Sequence, residues 1–362
     1  MKNKILSTVI CVFLFSFFMI NVISKDGDIS YTERRKLAQL PEFSFEDLFN
    51  GEYFGGFETY ALDQFAFRDE FRSLKAFFQF NIFGKKDNNK IFYENGHIFE
   101  HKYKLDEDSV KFFNLKMKLL YNNYLNKEGV NVYLSVIPEK NYYLESNTYI
   151  KYDYDKLIGQ VKDGLSNMTY IDITDSLTLD DYYSTDTHWK QENLEKVVEK
   201  FSSVMNFEYS KFDEYKVNEY GTFYGVYYGQ LSFKVKPDTI KYLTNDITDS
   251  AIVRDTESKL NTVYETSSLG AMDSYDVYLS GATGLVQMVN PLATTDKELV
   301  VFRDSFGSSI APLFLKGYSK VTLVDLRYTT SSIVEEIQNL SNADVLILYS
   351  TLVINNSSII KG

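Results

Sequence analysis

The chain has 362 residues, 44% of them hydrophobic and 24% charged, enough for one large α/β domain or two smaller ones and incompatible with disorder throughout. A formal net charge of −12 leaves no general basic surface for neutralising phosphates, so nucleic acid is not an expected partner. The single cysteine, Cys11, and three histidines allow no intramolecular disulfide and supply no zinc-ligand pattern; glycine-rich phosphate loops are absent too, so neither a metal nor a cofactor is expected.

The N-terminus reads as an address. Lys2 and Lys4 precede an uncharged run, Ile5 to Ser24, whose 20 residues span about 30 Å as a helix, the thickness of a hydrocarbon core. No small-residue cleavage site follows in Asn21-Val22-Ile23-Ser24-Lys25. Residues 1–24 therefore read as an uncleaved signal anchor rather than a cleaved signal peptide or a buried helix. Basic residues before the run and Asp26 and Asp28 after it predict a single-pass membrane protein with its remainder outside the cytoplasm.

Residues 25–90 read as a linker followed by a helical segment. Phe67, Phe71, Leu74 and Phe78 recur at one helical face, which predicts a helix packed on the main domain. From residue 91 to 362 the pattern predicts α/β alternation. An Asp108-Ser109 cap signal opens a helix that buries Phe113, Met117, Leu120 and Tyr124 and stops at Gly129. A strand over Val130 to Ile137, a helix over Asp155 to Asn167 and a strand over Thr169 to Ile173 follow. The next helix turns Leu194, Val197, Val198, Phe201 and Val204 inward. Strands at Leu299–Phe302, Val321–Asp325 and Val345–Tyr349, with helices between them, complete a doubly wound, mostly parallel sheet. Residues 207–290 break the rhythm and read as a β-rich insertion near the mouth of a site. Asn167, Asn339, Asn355 and Asn356 begin Asn-x-Ser/Thr triplets, a pattern short enough to arise by chance.

Two segments carry chemistry. In Asp186-Thr187-His188-Trp189, residues two apart in extended backbone point the same way, so the carboxylate can hold one imidazole nitrogen while the other takes a proton from a nucleophile. Alone, the pair is equally a solvated loop or a satisfied structural histidine. In Val300-Val301-Phe302-Arg303-Asp304-Ser305-Phe306-Gly307 an apolar strand runs into a turn carrying a serine, with a helix beginning behind it. Backbone amides there can face a developing oxyanion, although serine is also a common helix cap. Their joint occurrence predicts Asp186, His188 and Ser305 as one catalytic unit.

These segments resemble the DHHW family, relatives of the alginate O-acetyltransferase proteins with SGNH-hydrolase-like folds. Glu33-Arg34-Arg35-Lys36-Leu37, Asp63-Gln64-Phe65-Ala66-Phe67-Arg68-Asp69, Ile137-Pro138-Glu139-Lys140 and Val324-Asp325-Leu326-Arg327-Tyr328 extend the likeness from about Tyr31 to the end. Thr187 stands at the family's second histidine. The resemblance implies Ser305 as nucleophile, His188 as general base and acid, and Asp186 as orienting carboxylate. It implies O-acetylation of a cell-surface or secreted polysaccharide, with a membrane-bound O-acyltransferase as acetyl donor. Gly281, Thr283 and Gly284 are the nearest candidates for further oxyanion donors. A carbohydrate acetylesterase of the same fold and a non-catalytic polysaccharide-binding or assembly protein are the alternatives.

Other residues have two readings each. Lys140 either reaches the pocket mouth or is solvated. Arg303 either holds a substrate carboxylate or pairs with Asp304. Trp189 either packs the His188 loop or stacks on a sugar. Tyr224, Tyr227 and Tyr228 give the insertion aromatic faces for an acceptor. His97 and His101 have a surface or structural role.

Overall fold

The computed structural model describes residues 2–145, 149, 151–255, 260–337, 340 and 343–361; Asn339 and Ser341 of the Asn339 triplet lie outside them. The chain divides into two units, Met1–Ile91 with Tyr228–Lys236, and Phe92–Tyr227 with Pro237–Gly362.

The second unit is built on an eight-stranded sheet. Across the sheet the strands run Leu260–Asn261, Ile252–Asp255, Leu285–Val289, Lys320–Val324, Glu298–Arg303, Ala343–Ser350, Asn131–Ile137 and Thr169–Tyr170. The last five are mutually parallel, and the first three extend them antiparallel. This is the mostly parallel α/β sheet the sequence predicts. Register splits the side chains between two cores. Val300, Phe302, Val345, Ile347 and Tyr349 point to one face, while Leu299, Val301, Leu346 and Leu348 point to the other, the two-sided burial that a parallel sheet requires.

Local chemistry explains most element boundaries. Asp106, rather than the Asp108-Ser109 pair, caps the first helix of this unit, its carboxylate accepting from Asp108 N and Ser109 N. That helix, Glu107–Leu120, buries Phe113, Met117 and Leu120 and continues into a π turn over Tyr121–Leu125. The helix Glu195–Met205 buries Val197, Val198, Phe201 and Met205. Val204, expected inward, sits at the outer edge of that stripe, about 100° round the helix from Met205, and is 40% exposed. Between the C-terminal strands the expected helices shrink to Phe306–Ile310 with a 3₁₀ turn over Ala311–Phe314, and to a 3₁₀ segment over Ser331–Glu336.

The segment 207–290 is more than a rim. It forms the hairpin Lys216–Phe223 with Asp238–Thr244, supplies the three antiparallel strands, and sends Ile240, Leu243, Val253 and Met288 into the core.

In the first unit, the helix Lys2–Ile23 contains a 21-residue stretch, Asn3–Ile23, long and apolar enough to cross a membrane. Beyond it, two segments of the resemblance grip each other. Asp63 accepts two bonds from Arg35 at 2.6 and 2.7 Å and one from Ala38 N. Arg35 beside it holds the Asp63 carboxyl down at about 2. Phe67, Phe71, Leu74 and Phe78, predicted to be a packed helical face, are exposed instead.

The two neighbouring positions of one helix give a direct check of the packing. Met205→Ala should cost about 2–4 kcal/mol and Val204→Ala under about 0.5 kcal/mol in urea unfolding; equal losses would contradict the observed helix rotation.

Candidate active site

The Asp-x-His segment sits in a loop between the Thr169–Tyr170 strand and the Glu195–Met205 helix, and almost all of it is withdrawn from water. A buried loop is stable only if its backbone polar groups find partners. Here they do. The loop is pinched shut where Tyr183 N donates to His188 O and Lys190 N to Asp181 O. Ser184 N and Thr185 N donate to the two carboxylate oxygens of Asp238 at 2.8 and 2.7 Å, and Thr185 Oγ1 adds a third bond at 2.6 Å. Thr185 O accepts from Tyr227 N, and Ser184 O from Ile98 N.

Lys140 completes the set. Its Nζ donates to the carbonyls of Tyr183, Ser184 and Asp186 at 3.1, 3.1 and 2.7 Å and lies over the rings of Phe99 and Tyr227. It is fully buried, so neither the pocket-mouth nor the solvated reading holds. Burial pushes its ammonium down to about 7.

Within this frame the three residues singled out in the sequence form one hydrogen-bonded chain. Asp186 Oδ1 lies 2.6 Å from His188 Nδ1, and His188 Nε2 lies 2.8 Å from Ser305 Oγ. The proximity arises differently from the expectation. The backbone bends here, and Asp186 Oδ1 also accepts from His188 N at 3.0 Å, an Asx turn rather than extended alternation. Asp186 Oδ2 accepts from Val226 N at 2.8 Å. With the carboxylate on Nδ1, the protonated nitrogen is Nδ1 and the Nε2 lone pair faces the serine hydroxyl.

Ser305 follows the Glu298–Arg303 strand. Asp304 fixes the turn by accepting from Phe306 N at 3.1 Å and from Ser350 N at 2.7 Å, which ties it to the end of the neighbouring strand. The helix behind Ser305 offers fewer free amides than expected. Phe306 N is taken by the Asp304 carboxylate, Gly307 N by Asp304 O, and Ser308 N by Ser305 O. Among the described residues, the N–H of Ser305 itself meets no acceptor, leaving it as the oxyanion donor this turn can give.

The remaining sequence candidates fall into place around this chain. Trp189 is buried and donates from Nε1 to Ser309 Oγ at 2.9 Å, so it packs the loop and presents no sugar-stacking face. Arg303 is buried too, 3.5 Å from Asp325, and touches Asp304 only at its carbonyl oxygen, at 3.3 Å. Among the described residues its ion-pair partner is Asp325, and its guanidinium is withdrawn from solvent. Tyr227 is buried in the frame and Tyr224 is exposed. Gly281 has φ +85°, and a Cβ there would lie 2.5 Å from an Asp276 carboxylate oxygen; among the described residues no hydrogen bond joins it or Thr283 to the Ser305 turn. His97 is buried, and desolvation pushes its imidazole down to about 4. No cluster of metal-ligating side chains occurs among the described residues.

The sequence did not reveal four further contributors: Asp238, Val226, Gly225 and Tyr275. Tyr275 stacks on His188 with ring centroids 3.8 Å apart and an 11° interplanar angle, while its hydroxyl donates to Ser309. Gly225 is obligatory, because a Cβ there would stand 2.2 Å from Asp186 Cβ. The Gly221 and Gly225 pair among aromatics was the only written trace of that close approach.

No protein-family model matches the chain, and no curated protein does. Solved structures do. A DHHW family protein from Eubacterium siraeum DSM 15702 superposes with TM-score 0.64 at 18% identity, covering 75% of this chain and 94% of that one. Bacillus cereus PatB1 with a sulfonyl adduct superposes with TM-score 0.60 at 14% identity, covering 75% and 97%. A second structure of Bacillus cereus PatB1 gives 0.56 at 15% identity, covering 73% and 96%. At such identities the likeness establishes a shared fold. The resemblance read from Asp186-Thr187-His188-Trp189 thus meets a DHHW family protein of the same fold.

Beside Lys140, Glu139 is wholly buried, and desolvation pushes its carboxyl up to about 7, with Tyr154 as hydrogen-bond donor. The folded state therefore binds a proton that the unfolded chain releases between pH 4.5 and 7, and this contribution to stability is lost as pH rises through that window. Glu139→Gln, which cannot ionise, should stabilise the protein by on the order of 3 kcal/mol at pH 8 and lose that advantage below pH 4.5. Urea midpoints at the two pH values measure it; a difference independent of pH would show that Glu139 is not held protonated.

Proposed function

We propose that the chain is an extracytoplasmic O-acetyltransferase acting on a cell-surface or secreted polysaccharide through an acyl-enzyme on Ser305. The observation that carries this reading is the continuous Asp186–His188–Ser305 chain, with its serine partly open to solvent. A fold shared with Bacillus cereus PatB1, solved with a sulfonyl adduct, supports it, since sulfonylation is a reaction of an activated nucleophile.

His188 Nε2 takes the Ser305 proton as Oγ attacks the acetyl carbonyl, and the Ser305 N–H faces the oxyanion. Collapse breaks the bond to the donor's leaving oxygen, which receives the proton from His188. A sugar hydroxyl then gives its proton to His188 and attacks the acetyl-serine, and the proton returns to Ser305 Oγ as the ester leaves. Asp186 carries no proton; it fixes the tautomer and steadies the imidazolium. Acetyl-CoA is not available outside the cell, so a membrane-bound O-acyltransferase would deliver the acetyl group, and the N-terminal helix would keep the enzyme beside it. Water in place of the sugar would give the acetylesterase reaction.

Ser305→Ala and His188→Ala should each lower turnover of an activated acetyl ester about a thousandfold or more, and the double variant should resemble the singles. Asp186→Ala should cost less. A sulfonyl fluoride should sulfonylate Ser305 with loss of hydrogen fluoride, adding the sulfonyl group's mass to the Ser305 peptide of the wild type and not of His188→Ala. Normal turnover by a folded Ser305→Ala protein would refute the proposal and favour a non-catalytic polysaccharide-binding protein. Acetyl transfer to oligosaccharide acceptors, compared with release as acetate, separates transferase from esterase.

A further inference from the structure

An amphipathic helix in a water-soluble protein turns its apolar stripe inward and its charges outward. The ten-residue helix Arg68–Phe77 turns its two arginines inward and its large apolar residues outward, while Asp69, Glu70 and Lys75 stay exposed. Arg68 and Arg72, each 21% exposed, bond to Glu33 at 2.6 and 3.1 Å, and Arg72 also donates to Gly229 O at 2.6 Å. The opposite stripe, Phe71, Leu74 and Phe77, is 47%, 49% and 47% exposed. Its arginine face is the one fastened to protein, and the outward stripe also carries the exposed Glu70, between Phe77 and Leu74 on the helix surface. An apolar stripe left in that position needs a cover.

What covers it follows from where it is attached. The ring of Phe17, inside the apolar N-terminal helix, lies 5.3 Å from the ring of Phe65 and 5.9 Å from that of Phe71. Asn21 Oδ1 accepts from Ala66 N at 2.9 Å. Phe17 is six residues before Ile23, about 9 Å of helix, which matches the roughly 5–10 Å to which interfacial helices sink. The surface of the apolar helix and the Phe71–Leu74–Phe77 stripe are thus continuous at one depth.

We propose that Arg68–Phe77 is a second membrane contact, lying in the headgroup–acyl boundary of the outer leaflet with Phe71, Leu74 and Phe77 toward the acyl chains, Glu70 at headgroup level and Arg68 and Arg72 turned to the protein. This rests on reading Lys2–Ile23 as a membrane span. One helix leaves a protein free to swivel about its axis; a second, in-plane contact removes that freedom and holds the unit at fixed height.

The native Cys11 separates the two claims. Full-length protein labelled with bimane at Cys11, and Cys11→Ser proteins labelled at Leu74→Cys or Asp69→Cys, are reconstituted in phosphatidylethanolamine–phosphatidylglycerol vesicles containing brominated lipids. Far-UV circular dichroism verifies the fold of each. The Cys11 and Leu74→Cys probes should be quenched about twofold, and the Asp69→Cys probe should be unaffected. Quenching at Cys11 without quenching at Leu74→Cys overturns the inference while leaving the anchor intact, and points to a protein partner on the stripe. Absence of quenching at Cys11 overturns the membrane span and the inference with it.

Discussion

Burying a carboxylate costs several kcal/mol unless its oxygens are met by donors or positive charge, and the second unit is organised around meeting that cost at Asp186. Its side chain is fully buried, and its oxygens are held by His188 N, His188 Nδ1 and Val226 N. Each donor comes with a demand of its own. Val226 can approach only because Gly225 lacks a side chain. The His188 backbone is held by closure of the Tyr183–His188 loop, and that loop survives burial because Asp238 caps its amides and Lys140 its carbonyls. The antiparallel extension of the sheet is tied to the same requirement, since Gly225, Val226 and Asp238 lie within the 207–290 segment that supplies it.

This explains which parts of the site were legible in the sequence. Asp186 and His188 are two residues apart, and Ser305 follows a conspicuous apolar strand, so local pattern finds all three. The Asp186 to Val226 bond spans 40 residues and the Asp238 contacts 53 and 54. Nothing in the periodicity of either segment announces such a bond. Lys140 shows the limit most clearly. A lysine after a strand reads as a solvent-facing charge, because a buried ammonium is expensive; only three convergent carbonyls make it tolerable, and convergence is a property of the fold.

The fold was more legible than the site, for a related reason. Parallel strands are buried on both faces and stand out as apolar runs, so Glu298–Arg303 and Ala343–Ser350 are marked by composition alone. The crossovers beside them are not. Their cores need only cover a short stretch of sheet, and a single turn of helix or a 3₁₀ segment suffices where the sequence pattern suggested full helices. The same economy hides Val204: a spacing of seven from Val197 fits an inward stripe, but the stripe centred on Val198 and Phe201 selects Met205 instead.

Periodicity identifies a stripe without identifying what it faces, and the first unit shows the consequence. Phe71, Leu74 and Phe78 recur as a buried helical face would, so packing against protein is the natural inference in water. The choice is decided by the other face. Glu33 binds Arg68 and Arg72, and Asp63 binds Arg35, a network whose charges are shielded while the phenylalanines are not. In water this arrangement wastes the hydrophobic effect on one side and incurs desolvation on the other. Against hydrocarbon both terms change sign: the aromatic stripe is solvated by acyl chains, and the charges are better placed in paired, protein-facing positions than at the lipid boundary. The proposed membrane contact accounts for this arrangement of arginines and phenylalanines in Arg68–Phe77, and the ring contacts of Phe17 with Phe65 and Phe71 are what tie that proposal to the apolar N-terminal helix.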